Sequence, residues 1–226
     1  MKQIVRIAAI TAVAVATMAP SKPAPNWLAT VNVTAAGSHV LGNPAAKVKL
    51  AEYVSYTCSH CGHFHQKADS ALKLAYVQPG KLSLEIRHIV RDPVDLTVAM
   101  LTNCGKPGGF FIRHNDFMAG QDKWLAKYGS MNQAQQARWY AGPTASRLQA
   151  VARDFGFYEI MAKRGYTTSK VNTCLADKTK VDKLTGQTAQ AGEQGVNATP
   201  SFAVNGVVLA GTHDWDSLQT QLAARF

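Results

Sequence analysis

The chain has 226 residues, 46% of them apolar and 17% charged, and its 24 Lys and Arg against 14 Asp and Glu give a formal charge of +10. That is enough apolar material for a hydrophobic core and excludes a disordered chain. No long Lys/Arg run gathers the positive charge, which excludes a polybasic nucleic-acid tail, and no nucleic-acid partner is expected.

Residues Met1 to Arg6 carry Lys2 and Arg6 without an acid, and an apolar run from Ile7 to Ala19 follows. The run is shorter than the about 20 residues of a membrane-crossing helix and matches a secretory signal over 1–19, with small residues at Ala14/Ala16 or Thr17/Ala19 to direct cleavage. The alternative is a buried first helix, against which stand Pro20, Pro23 and Pro25 in a linker over 20–30. Export would place the remainder, soluble and without a later spanning segment, in the periplasm, where thiols are oxidised.

Val31 to Leu41 has strand character, and Gly42-Asn43-Pro44 turns the chain. Val48 to Tyr56 alternates, with Val48, Leu50, Glu52, Val54 and Tyr56 on one side and Lys49, Ala51, Tyr53 and Ser55 on the other. Spacings of three and four through Cys61, Phe64, Ala68, Ala71 and Ala75 predict a helix that Pro79-Gly80 stops. Leu82 to Val90 alternates again as a strand. From Asp92 to about Gly195 only helical segments are expected, punctuated by the glycine-rich loop Cys104 to Gly109 and by Gly142-Pro143 at a helix start. Ser201 to Val204 and Val207 to Leu209 flank Asn205-Gly206, a two-residue hairpin turn, and Asp214 to Phe226 closes as an amphipathic helix. The pattern predicts a mixed α/β sheet, with parts at 31–91 and 196–226 interrupted by a helical insertion at 92–195.

Of the four cysteines, Cys58 and Cys61 form Cys58-Ser59-His60-Cys61 at a strand-to-helix junction. Unpaired N–H groups and the helix dipole stabilise negative charge there, so Cys58 is expected to lose its proton below the about 8.5 of a free thiol, with His60 adding charge or a hydrogen bond. Cys61, one turn inward on the apolar face, is then the resolving cysteine. A c-type haem attachment needs His after the second Cys, where Gly62 stands. A zinc site from Cys58, Cys61, His63 and His65 lacks a second Cys pair, so no metal or cofactor is expected and His63 and His65 are placed on or near a solvated helix surface. A purely structural disulfide is the remaining alternative for the pair.

The stretch from Leu50 to Cys61, together with Ala198-Thr199-Pro200-Ser201-Phe202-Ala203-Val204-Asn205-Gly206, resembles the DsbA-like thiol-disulfide oxidoreductases of the thioredoxin fold. The resemblance covers essentially the whole chain after the signal. It implies that Pro200 is a cis proline beside a redox-active Cys58/Cys61 disulfide, that Thr199 presents its backbone to an extended substrate, and that Glu52 is a buried acid transferring a proton for Cys61. A solvent-facing Glu on an edge strand is the alternative for Glu52. The chain departs from the best-known member in having Ser-His where that member has Pro-His, and Thr, as in isomerase relatives, before the cis proline; both positions tune redox potential and substrate release.

The implied activity is a protein disulfide oxidase acting on reduced, unfolded exported proteins and reoxidised by a quinone-linked membrane partner of the DsbB type. The stretch between Ala19 and Cys58 is too short for the dimerisation domain of isomerase relatives, so a monomer is expected. The rivals are an isomerase or reductase kept reduced and a metal-binding or thiol-shielding module without turnover. Cys104 and Cys174 fall in the helical insertion, where some relatives carry a structural disulfide; the alternative is two unpaired buried thiols.

Overall fold

The computed structural model describes residues 25–226, so the signal segment falls outside the described residues. In chain order the elements are β1 (Val31–Val33), β2 (His39–Gly42), β3 (Val48–Val54), α1 (Ser59–Leu72), β4 (Leu82–His88), α2 (Pro93–Thr102), α3 (Phe110–Ala119), α4 (Gln121–Leu125), α5 (Gln133–Ala137), α6 (Thr144–Phe155), α7 (Phe157–Ala162), α8 (Thr168–Leu175), α9 (Lys178–Glu193), β5 (Ser201–Val204), β6 (Val207–Val208) and α10 (Trp215–Ala223). Six strands form one sheet in the order β1-β2-β4-β3-β5-β6. The parallel pair β3/β4 is joined by the α1 crossover, and every other neighbouring pair is antiparallel. No helix of the described residues is long and apolar enough to cross a membrane.

β3 has strand partners on both edges and helices on both faces, which is why six of its seven residues are buried although its sequence alternates. Leu50 and Val54 join the main core with Phe64 and Leu72 of α1, Phe202 of β5 and Leu218 and Leu222 of α10. Ala51, Tyr53 and Ala203 face the other way, onto Ala191 at the end of α9 and Val196 beyond it. The sheet therefore lies between α1 and α10 on one side and α9 on the other.

Tertiary contacts override the sequence pattern at several ends. Val31 to Leu41 is two strands: Gly37, at φ +84°, donates to Thr34 O and Thr34 N bonds Ser38 O, closing a tight hairpin that a continuous strand cannot contain. β3 stops at Val54 because the Asp95 carboxylate takes up Ser55 Oγ and Tyr56 N. β4 stops at His88 because Val90 N turns to Thr188 Oγ1 on α9. Within the expected linker, Trp27–Ala29 forms a 3₁₀ turn, and a π-helical stretch, Lys73–Val77, extends α1 towards Pro79.

Cys104, after α2, and Cys174 of α8 are bridged, with their Cα atoms 5.6 Å apart across 70 sequence positions. A loop of that length corresponds in the chain-entropy model to roughly 4 kcal/mol. The double variant Cys104→Ala/Cys174→Ala is expected to show a clearly lower denaturant midpoint than the parent; an unchanged midpoint would mean that the bridge contributes nothing to stability.

Candidate active site

β3 runs towards the site and β5 runs away from it. The antiparallel register pairs Glu52 with Phe202 and Tyr53 with Ser201, so the loop before β5 lands beside the residue that follows β3. Phe64 of α1 packs on Phe202 with ring centroids 4.8 Å apart, holding helix and strand together. The Thr199–Pro200 peptide is cis, and Cys58 Sγ lies 3.2 Å from Thr199 O. Behind it, Ser201 Oγ donates to Ala198 O and His213 Nδ1 lies 2.8 Å from Pro200 O, so the loop is anchored from within and from the segment before α10.

Cys58 is the N-cap of α1, with extended backbone angles, and Cys61 N and Gly62 N donate to its carbonyl. Both sulfurs are free thiols in this structure, and their surroundings are unequal. The Cys58 pKa is lowered to about 4: the Cys61 thiol donates to its sulfur, and the Thr199 side chain and the backbone N–H groups of Cys61 and His60 add to that against the opposing effect of burial. Cys61 is fully buried; burial first, then its bond to Cys58 and the charge of Cys58, hold its pKa well above the usual thiol value.

Cys58 is less accessible than its expected role as the attacked sulfur suggests, with 6% of its surface exposed, because the loop carrying Thr199 lies over it. His60 is exposed, and it reaches Cys58 through its backbone N–H, while its imidazole has no hydrogen-bond partner among the described residues. His63 is on the surface, but His65 corrects the sequence expectation: α3 covers that side of α1, and His65 is buried with Nε2 3.1 Å from Asn115 Oδ1. Among the described residues no group of three or more His, Cys, Asp or Glu is placed to hold a metal ion.

Glu52 is buried on the α1 side of β3, since β4 and β5 flank that strand and leave it no open edge. It borders a cavity of about 10 Å³ shared with Phe64, His65, Asp69 and His114. Burial, reinforced by the Asp69 charge and opposed by Lys73, pushes its pKa up to about 8, so the carboxyl is protonated at neutral pH and can give up that proton near it.

Three residues that the sequence did not mark shape the turn between β3 and α1. Asp95 of α2 accepts from Ser55 Oγ at 2.6 Å and Tyr56 N at 2.8 Å, and Asp92, the N-cap of α2, accepts from Thr57 Oγ1 at 2.8 Å. Gln121 of α4 donates through Nε2 to Tyr56 O at 2.7 Å and Cys58 O at 2.9 Å. All three belong to the helical insertion. For Asp92 and Asp95 the Asp-Pro-x-Asp pattern at a helix start was a capping signal, and Asp95 N does donate to Asp92 Oδ1; Gln121 had no local signal.

The two titrations act on stability in opposite directions. Glu52, raised from 4.5 to about 8, favours the fold fully below about 4.5 and loses that contribution as pH rises through 8. Cys58, lowered from 9.0 to about 4, favours the reduced fold fully above about 9 and loses that contribution as pH falls through 4. Glu52→Gln is therefore expected to gain stability relative to the parent as pH is raised from 5 to 9, read as denaturant midpoints of the oxidised forms, in which Cys58 does not titrate. A constant difference across that range would show that Glu52 is not held protonated.

Comparison with known proteins places this geometry among relatives. The thioredoxin family model matches residues 34–224. A solved structure of a protein-disulfide isomerase from Novosphingobium aromaticivorans is 48% identical, with 83% of this chain and 96% of that one aligned and a TM-score of 0.80. The alpha-DsbA1 of Wolbachia pipientis is 24% identical over 85% of this chain and 92% of that one, with a TM-score of 0.65, and shares the fold. A putative protein-disulfide oxidoreductase of Rickettsia typhi is 30% identical over 74% of this chain and 54% of its own length, and one of Rickettsia felis is 28% identical over 80% and 57%. The chain spans about half the length of these curated relatives.

Proposed function

Because the chain belongs to the thioredoxin family and carries a two-cysteine pair at the N-terminus of α1, we propose that it is a periplasmic thiol-disulfide oxidoreductase that introduces disulfides into exported proteins through Cys58-Ser59-His60-Cys61. The observation that carries this reading is the inequality of the two sulfurs: Cys58 is stabilised as a thiolate and Cys61 as a thiol. Whatever stabilises the Cys58 thiolate stabilises the dithiol form over the disulfide, and a pair that prefers to be reduced is an oxidant. Export rests on Lys2, Arg6 and the apolar run to Ala19.

In the oxidised protein a client thiolate attacks the Cys58 sulfur, the Cys58–Cys61 bond breaks, and Cys61 leaves as a thiolate. Glu52, with its raised pKa, supplies the proton that makes Cys61 a thiol. The client's second thiolate then attacks its own sulfur in the mixed disulfide, forming the client disulfide and releasing Cys58 as the stabilised thiolate. Two electrons pass from client to protein, and a quinone-linked membrane oxidase of the DsbB type removes them. The Thr199 backbone, beside Cys58, is where an extended client segment would pair.

The second reading, an isomerase or reductase kept reduced, is favoured by Thr199 and by the 48% identical relative, which is named a protein-disulfide isomerase. One paired assay separates the two. The oxidised protein is expected to form disulfides in a reduced, unfolded client stoichiometrically and faster than glutathione disulfide does, whereas the reduced protein reshuffles a scrambled client poorly. The opposite pair of results would establish the isomerase.

A further inference from the structure

The N-terminus of a helix stabilises a thiolate only if the cysteine is held over the helix N–H groups, so what fixes the turn carrying Cys58 matters as much as the helix itself. The turn is short and polar, and its own backbone supplies few bonds: Cys58 N donates to Ser55 O at 3.3 Å. Beyond the Cys58 contact with Thr199 O, further restraint comes from the insertion. Asp95 and Asp92 hold one side of the turn through Ser55, Tyr56 and Thr57, and Gln121 holds the other.

Gln121 is fully buried, and its single amide nitrogen spans the two carbonyls that flank Thr57. Among the described residues its Oε1 has no hydrogen-bond partner, a cost that a buried amide bears only where its other end is well used. That oxygen lies against Gly62, in the first turn of α1: a Cβ at Gly62 would overlap Gln121 Oε1 and stand 2.8 Å from its Cδ. Gly62 does not have the positive φ that commonly requires glycine. Within a helix Ala is preferred to Gly, so helix propensity disfavours the residue that is there. Gly62 leaves room for the Gln121 amide.

We propose that Gln121 is a positioning residue for Cys58, clamping the strand-to-helix turn by donating to Tyr56 O and Cys58 O together, and that Gly62 is the space this clamp requires. The inference rests on Cys58 as the exchanging thiolate. Glutamine suits the place because it supplies two N–H donors at the end of a chain long enough to reach from α4. A glutamate there would set carboxylate oxygens against carbonyl oxygens, and an aliphatic residue would leave Tyr56 O without that donor.

The test is a thiolate-absorbance titration of the reduced full-length protein in the parent, Gln121→Met, Gly62→Ala and the double variant, with denaturant midpoints measured in parallel. Gln121→Met keeps the length and apolar volume and removes the donors; Gly62→Ala keeps the donors and displaces them. Each is expected to raise the pKa of Cys58 by about one pH unit, the size of one lost hydrogen bond near the charge. The double variant is expected to show no more than the larger single shift, because both changes break one clamp. Gly62→Ala should do so without destabilising α1, a separation that a merely structural role would not produce. Should Gln121→Met not fold, Gln121→Asn, whose amide is withdrawn by one methylene, is read in its place. A parent pKa near 9 would defeat the activated-thiolate reading itself. A low parent pKa that neither substitution moves, or two shifts that add in full, would overturn the role of Gln121 and leave that reading standing.

Discussion

The structure depends on holding two sulfurs of one short motif in environments that differ in opposite senses. Cys58 caps α1, where the Cys61 thiol and backbone N–H groups face its sulfur, while Cys61 is sealed in the core where burial opposes a negative charge. Each is useful only beside the other. The proton of Cys61 is part of what stabilises the Cys58 thiolate, and the Cys58 charge is part of what keeps Cys61 protonated. Glu52, buried on the α1 side of β3, has its pKa raised to about 8 and is neutral at pH 7, which is what suits it to the proposed proton transfer with Cys61.

The fold supplies this asymmetry from three directions. β3 and α1 provide the junction, β5 brings Thr199 and Pro200 alongside it, and the helical insertion clamps the turn through Asp92, Asp95 and Gln121. The insertion also covers α1: Asn115 of α3 meets His65, and His114, with its pKa held well below the usual value by burial, bonds Tyr56 Oη through Nδ1 at 2.8 Å. The Cys104–Cys174 bridge ties the end of α2 to α8 within that same insertion. The insertion thus carries part of the site's geometry as well as covering it.

Local sequence is informative where the structure obeys local rules. Alternation marked β3 and put Glu52 on the same face as Leu50 and Val54, and Asn205-Gly206 marked the hairpin, where both residues have positive φ. The C-x-x-C spacing at a strand-to-helix boundary located the two sulfurs before any contact was known. The parts decided by distant contacts were not legible. His63 and His65 look alike in sequence, and only the packing of α3 separates an exposed ring from a buried one. Gln121 sits in a five-residue helix without an apolar period, and its partners lie 65 and 63 positions earlier. The strand expected over 31 to 41 was broken by a turn at Gly37, whose positive φ no hydrophobic pattern reveals.

If stabilisation of the Cys58 thiolate makes the Cys58/Cys61 disulfide an oxidant, the reduction potential of that pair, equilibrated against glutathione at pH 7, must show it. About 30 mV corresponds to 1.4 kcal/mol for this couple, so an extensively stabilised thiolate is visible on that scale. The expected potential lies well above the roughly −270 mV of thioredoxin. A value at or below that of thioredoxin would mean that the disulfide is the preferred state and that the surroundings of the Cys58 thiolate do not govern the chemistry.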